Sequence, residues 1–271
     1  MKITVPRGAT DSHIHIYDSA APAAENTFRP GHFPVQDYRA MQKRLGLERV
    51  IIVQPNAYAD DNRVTLDAIQ ALGTGAKGVA VVRPGVTDTE LERLTKAGIC
   101  ALRVMTLHGG TLGFDVMDAL MARVHPFGWH ANIQLDGREL PKFEAQIKRL
   151  PGRFVIDHTG KFLEPVDVSS DAFKTLVRLV DTGRCWVKLS APYETSKTGA
   201  PKYEDVGRLA KALVKHAPER MLWASNWPHS SARKPAPPDD AALLELLADW
   251  APEEKTRARI LTDNPAELYG F

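Results

Sequence analysis

Cysteine is almost missing from this chain: there are two in 271 residues, Cys100 and Cys185. Both stand at the starts of apolar, strand-like runs, where a free thiol packs as a small hydrophobe. That excludes a disulfide framework and leaves a reactive thiol as the less favoured reading. Long apolar runs are missing too, and none approaches the length of a membrane span. Residues 1–8 lead into the first strand without a hydrophobic signal segment, so a cytoplasmic protein with no membrane partner is expected. Neither charge dominates: 35 Lys and Arg stand against 33 Asp and Glu, and the net +2 gives no ground for a nucleic-acid partner. No composition break, tandem repeat or low-complexity tract divides the sequence, and the one stiff Pro-rich piece is Lys234-Pro235-Ala236-Pro237-Pro238.

What the chain does have is a regular alternation of strands and helices. Thr10–Tyr17 reads as a strand, followed by a long irregular segment from Asp18 to Pro34 whose length suggests a lid or binding loop. Strands are then expected at Arg49–Gln54, Gly78–Val82, Ile99–Val104, His130–Leu135, Phe154–His158, Cys185–Ser190 and Met221–Asn226. Most are nearly continuous apolar runs, the mark of parallel strands buried on both faces. Between them lie helical patterns at Val35–Gly46, Arg63–Leu72, Val116–Phe127, Leu140–Leu150, Ala172–Asp181 and Val206–His216, and a capping box, Thr87-Asp88-Thr89-Glu90, opens another. Two shorter helices, Ala241–Trp250 and Pro252–Leu261, close the chain. Eight strand–helix units in series imply a single (β/α)8 TIM-barrel domain over residues 1–271. An open doubly wound sheet is the runner-up, but its Gly-rich phosphate fingerprint is missing.

Chemistry in such a barrel collects at the C-terminal ends of the strands. On the first strand Asp11, His13 and His15 are two apart and are expected on one face, looking into a polar cavity. The other strand ends offer Gln54 and Asn56, Arg103, Gln134, then Asp157, His158 and Lys161, then Lys188, Ser190 and Tyr193, and finally Asn226 with His229 just beyond. Closure of the barrel should set Asn226 beside His13 and His15. His108, His125, His130 and His216 are expected to be surface or structural. Arg103 and Lys188 have an alternative reading as ion pairs that stitch the barrel interior.

These residues carry a resemblance. Asp-x-His-x-His at 11–15, Asp157-His158-Thr159-Gly160-Lys161-Phe162, Tyr193-Glu194-Thr195-Ser196, His216-Ala217-Pro218-Glu219-Arg220 and Asn226-Trp227-Pro228-His229 resemble the amidohydrolase superfamily in its lactonase branch. Within it the D-galactarolactone isomerases are most similar, and the 2-pyrone-4,6-dicarboxylate lactonases next. Much of the superfamily carries a base and metal ligand, aspartate, where this chain has Asn226. An amide cannot act as a base at neutral pH. The resemblance therefore implies a sugar-acid lactone isomerase with no cofactor, zinc being the less favoured alternative with His13, His15 and His158 as ligands. A hydroxyl of the substrate would attack its own lactone carbonyl, with His13, His15, His158 and Asn226 as the catalytic set. Arg103, Lys161, Lys188 and Arg29 would hold a substrate carboxylate, with Gln134, Ser190, Tyr193, Asn56 and His229 as further contacts. The expected partner is a small carboxylate-bearing lactone. A lactone hydrolase, a metal-dependent amidohydrolase or decarboxylase, and a non-catalytic binding protein are the alternatives.

Overall fold

The computed structural model describes residues 3–25, 27, 31–232 and 236–271. Its strands are β1 (Thr10–Ile14), β2 (Arg49–Val53), β3 (Ala76–Ala80), β4 (Ile99–Met105), β5 (His130–Gln134), β6 (Phe154–Ile156), β7 (Cys185–Leu189) and β8 (Met221–Trp223). All pair in parallel and in chain order to form an eight-stranded sheet. A parallel bridge from Ile14 to Trp227, with His15 N–H donating to the Trp227 carbonyl and Asn226 N–H to that of His13, joins the two ends. The architecture is the expected (β/α)8 barrel.

Helices α1 (Val35–Leu45), α2 (Arg63–Leu72), α3 (Asp88–Lys96), α4 (Phe114–Val124), α5 (Leu140–Arg149), α6 (Asp171–Val180), α7 (Glu204–His216) and α8 (Asp240–Trp250) form the outer ring. Local chemistry sets their ends. Thr87 caps α3 by accepting from Glu90 N–H, Ser170 caps α6 by accepting from Phe173 N–H, and α1 stops at Gly46 with φ 75°. Their apolar faces pack on Val50, Ile52, Leu102, Val104 and Ile133, the outward residues of the strands.

The inward residues alternate with these and stack in layers. At the bottom Ile51, Val53, Val79, Ala101, Val155, Trp186 and Leu222 form an apolar plug with Leu268 and Tyr269. One step up, the same inward positions become polar: Asn132, Asp157 and Lys188 are fully buried.

The structure departs from the expected elements at three places. Strand β1 ends at Ile14, and its register with β2 shifts between Asp11 and Ile14. This bulge turns Asp11 away from the cavity. Its carboxylate accepts from Ser225 N–H (2.9 Å) and Ser225 Oγ (2.6 Å), tying β1 to the segment after β8 beneath Tyr38 of α1. Strand β3 begins two residues earlier than its apolar run, because Ala76–Val79 are the partners of Val50–Val53. The chain also closes with two helices beyond α8, α9 (Glu254–Ala258) and α10 (Asn264–Tyr269), linked by a π-helical turn. Helix α10 went unread in the sequence, although it supplies the Leu268 and Tyr269 of the plug.

Candidate active site

A cavity of about 470 Å³ opens at the C-terminal end of the barrel. Of the residues singled out in the sequence, His15, Asn56, Arg103, Gln134, His158, Lys161 and Asn226 line it. Gln54, His13, Asp157, Lys188, Ser190, Tyr193 and His229 do not; His13, Ser190 and Tyr193 stand behind the lining residues His15, His158 and Asn226. Arg29 lies outside the described residues.

The floor is built around Lys188. Its ammonium donates to Asn132 Oδ1 at 2.6 Å and meets His13 Nδ1 at 3.2 Å, and it is ion-paired with Asp157 Oδ1 at 3.1 Å, an oxygen with no hydrogen-bond partner. Lys188 is fully buried among these partners and does not line the cavity, so stitching the interior is the role the geometry supports. Burial alone would raise the Asp157 carboxyl, but Lys188 and His13 outweigh it and hold it well below the usual range.

Hydrogen bonds above this pair fix the imidazoles. His15 Nδ1 lies 2.8 Å from the Val53 carbonyl, which only accepts, so that nitrogen carries the proton. His15 Nε2 then accepts from His13 Nε2–H at 3.2 Å, and His13 Nδ1 is left to accept from Lys188. Burial, reinforced by Lys188, lowers the His13 imidazole to about 4. Burial and His13 hold both His15 and His158 well below the ordinary value. His158 Nδ1 is engaged by Ser190 Oγ at 2.8 Å, so Nε2 is the nitrogen it has for a ligand. Residues His158 to Lys161 have φ values of 53°, 55°, 90° and 50°. This run of left-handed residues after β6 is strained except at Gly160, and it brings both His158 and Lys161 to the cavity wall.

The walls divide their charge unevenly. Arg103 is 5% exposed; it donates to the Gln54 carbonyl and reaches Gln134 Oε1 at 3.4 Å, while its Nε has no partner. No carboxylate of the described residues lies within 4 Å of it. Lys161 is instead ion-paired with Glu194, which Ser231 Oγ also contacts. Burial would raise Glu194, but Lys161 and His158 bring it down to about 2. Lys161 is thus committed to Glu194 rather than free to receive a substrate anion.

The sequence reading missed Glu194 and His108 as lining residues. Glu194 follows β7 within Tyr193-Glu194-Thr195-Ser196, so its place in the chain was the available signal. His108, expected at the surface or in a structural role, lies on the loop after β4 that folds back through Met105 N–H to the Leu112 carbonyl. That return brings it to the cavity mouth. His130 lies at the barrel bottom against Tyr269, as a structural residue should.

The donor atoms of His13, Asp157 and His158 lie within 4.8 Å of one another. The expected third ligand, His15, is not in this group. Lys188 Nζ is 3.1 and 3.2 Å from the Asp157 and His13 donors, so a divalent ion there would press against an ammonium. The group is a possible metal site with an ammonium against two of its three residues.

The sequence profile of the Amidohydrolase family matches residues 10–271. The chain belongs to the amidohydrolase family. This amidohydrolase is 37% identical to the D-galactarolactone isomerase of Agrobacterium fabrum over 268 residues, covering 97% of this chain and 91% of the relative. It is 34% identical to the 4-sulfomuconolactone hydrolase of Rhizobium radiobacter over 277 residues, covering 100% of this chain and 92% of the relative. An apo crystal structure from Agrobacterium tumefaciens, 36% identical, superposes with a TM-score of 0.92 and covers 98% of this chain and 97% of that one. The relatives named for their activity thus include both a lactone isomerase and a lactone hydrolase.

Two predictions follow from the floor and its imidazoles. Lys188→Met strands the Asp157 carboxylate in the interior and should cost about 3–5 kcal/mol in urea unfolding, with Lys188→Met/Asp157→Leu recovering most of it. A loss below about 1 kcal/mol in the single variant would mean the pair contributes no more than an exposed one. Because folding lowers the imidazole values, the neutral, working form persists as pH falls past 6.5, and kcat/KM should collapse only towards about 4. An acid limb centred at 6.5 in a pH–rate profile would contradict this.

Proposed function

We propose that this enzyme interconverts ring isomers of a carboxylate-bearing sugar-acid lactone by intramolecular acyl transfer, as its isomerase relative's name suggests. The observation that carries the reading is the lack of a competent carboxylate base. Glu194 is the one carboxylate among the described lining residues, and its pairing with Lys161 makes it a weak proton acceptor. Activation of water is therefore poorly served. A hydroxyl already on the substrate gains an effective molarity on the order of 10⁵ M or more when well oriented.

In this mechanism Arg103, buried and without a carboxylate partner among the described residues, receives the substrate carboxylate through charge-assisted hydrogen bonds, with Gln134 and Asn56 beside it. Asn226 addresses the attacking hydroxyl. As the new C–O bond forms, the hydroxyl proton passes to His158 Nε2, and as the old ring C–O bond breaks, the departing oxygen takes that proton. The bonds made and broken balance, and no water is consumed. His13 and His15 act from below by presenting a neutral, fixed imidazole surface. Lys188 provides the buried positive charge that the family elsewhere assigns to a metal, so no metal is required in this scheme.

Proton NMR of freshly prepared galactarate and glucarate δ-lactones with the enzyme, in ¹⁸O-water and with or without chelator, tests this reading. The γ-lactone should appear without label and regardless of chelator. Labelled open diacid would make the enzyme a hydrolase. Arg103→Met should raise KM about ten- to a hundredfold, the size of a lost charge-assisted pair. An unchanged KM in steady-state kinetics would remove Arg103 from the carboxylate site.

A further inference from the structure

Behind Asn226 runs a hydrogen-bonded series that does not reach the cavity. Asn226 Nδ2 is 2.8 Å from Tyr193 Oη and 3.4 Å from Glu194 Oε1; Tyr193 Oη is 2.9 Å from His229 Nδ1; His229 Nε2 is 2.8 Å from Asp240 Oδ1. The donors in this series can be assigned without assuming how the amide is oriented. Glu194 is an ionised carboxylate and accepts only, so the Asn226 group facing it must be the NH₂. The same NH₂ donates to Tyr193. Having accepted that bond, Tyr193 donates its own proton to His229 Nδ1 in the tautomer that leaves this nitrogen bare. His229 consequently carries its proton on Nε2 and donates it to Asp240. Every bond points the same way and ends on a carboxylate at the start of α8.

The amide oxygen of Asn226 is left over. No described residue bonds to it, and Asn226 lines the cavity. The backbone supports this setting, since Asn226 holds φ 61°, a left-handed conformation that asparagine adopts more readily than most residues. Asp240 was not singled out in the sequence, and Tyr193 and His229 were expected to touch substrate directly.

Resting on the acyl-transfer reading above, we propose that Tyr193, His229 and Asp240 are positioning residues that lock the Asn226 amide with its oxygen towards the cavity, making Asn226 the acceptor that holds the substrate's attacking hydroxyl. An acceptor there turns the hydroxyl oxygen's lone pairs towards the lactone carbonyl. A flipped amide would offer a donor and occupy those lone pairs instead. The locked amide thus serves the nucleophile and not the oxyanion.

Two measurements test this. The first reads ¹⁵N shifts of His229 in the intact wild-type protein, where Nε2 should carry the proton and Nδ1 should be bare. A proton on Nδ1, or on both nitrogens, reverses the series and overturns the proposal. The second is a double-mutant cycle of Tyr193→Phe and Asn226→Ala, followed by kcat, KM and melting temperature. Tyr193→Phe should lower kcat about ten- to a hundredfold, the scale of a misplaced reacting group, with KM within about twofold. In the Asn226→Ala background it should lower kcat no further. An equal loss in both backgrounds would mean that Tyr193 acts independently of Asn226, and the proposal would fail. The cycle can be read on hydrolysis as well as isomerisation, so label in the product would remove the acyl-transfer reading while the cycle still decides whether the series positions Asn226.

Discussion

The buried Lys188–Asp157 pair is the constraint on which the rest of the site depends. Placing an ammonium inside a barrel is tolerable only when it is paired and hydrogen-bonded, and here Asp157 supplies the opposite charge while Asn132 and His13 supply the hydrogen bonds. The apolar plug of Trp186, Leu222, Leu268 and Tyr269 lies below. With water kept from the underside, the pair works at short range and low dielectric. The effect passes upward one bond at a time: Lys188 makes His13 Nδ1 an acceptor, His13 then donates to His15, and His15 donates to the Val53 carbonyl. A row of histidines that looks like a cation site is kept neutral first by burial, with Lys188 reinforcing this at His13.

Above the floor, the cavity separates charges that are satisfied from one that is not. Glu194 and Lys161 neutralise each other on one wall, while Arg103 on another has no carboxylate partner among the described residues. A buried guanidinium in that state favours an anionic ligand, because the ligand restores a pairing the protein leaves open. The barrel itself hosts many chemistries, so the functional reading rests on these residues and not on the fold. Asn226 belongs to the same logic: an amide at the end of the eighth strand has no proton to take, but it has an oxygen to aim.

Much of the fold was legible because parallel strands buried on both faces leave apolar runs, and Val50–Val53 and Phe154–Ile156 are such runs. Helix α3 was legible for another local reason, the Thr87 cap. Helix α10 was not, since its six residues matter through Leu268 and Tyr269 packing against strands far away in sequence. Strict alternation placed Asp11 with His13 and His15, but the bulge in β1 breaks that period. A bulge depends on the neighbouring strand's register, which one strand cannot report.

The sequence by itself determined the succession of eight strand–helix units and the polar residues at the strand ends, because both follow from local periodicity and from the position of each residue in its unit. Only the tertiary structure decided which of those residues face the cavity and which stand behind it. Lys188 and Arg103 are both basic residues on inward positions of a strand, and nothing local separates them. The difference is that Asn132, Asp157 and His13, from three other strand–loop units, converge on Lys188, whereas no carboxylate of the described residues converges on Arg103. Partners of that kind are fixed by closure of the barrel, which brings residues such as Lys188 and His13 together across most of the chain.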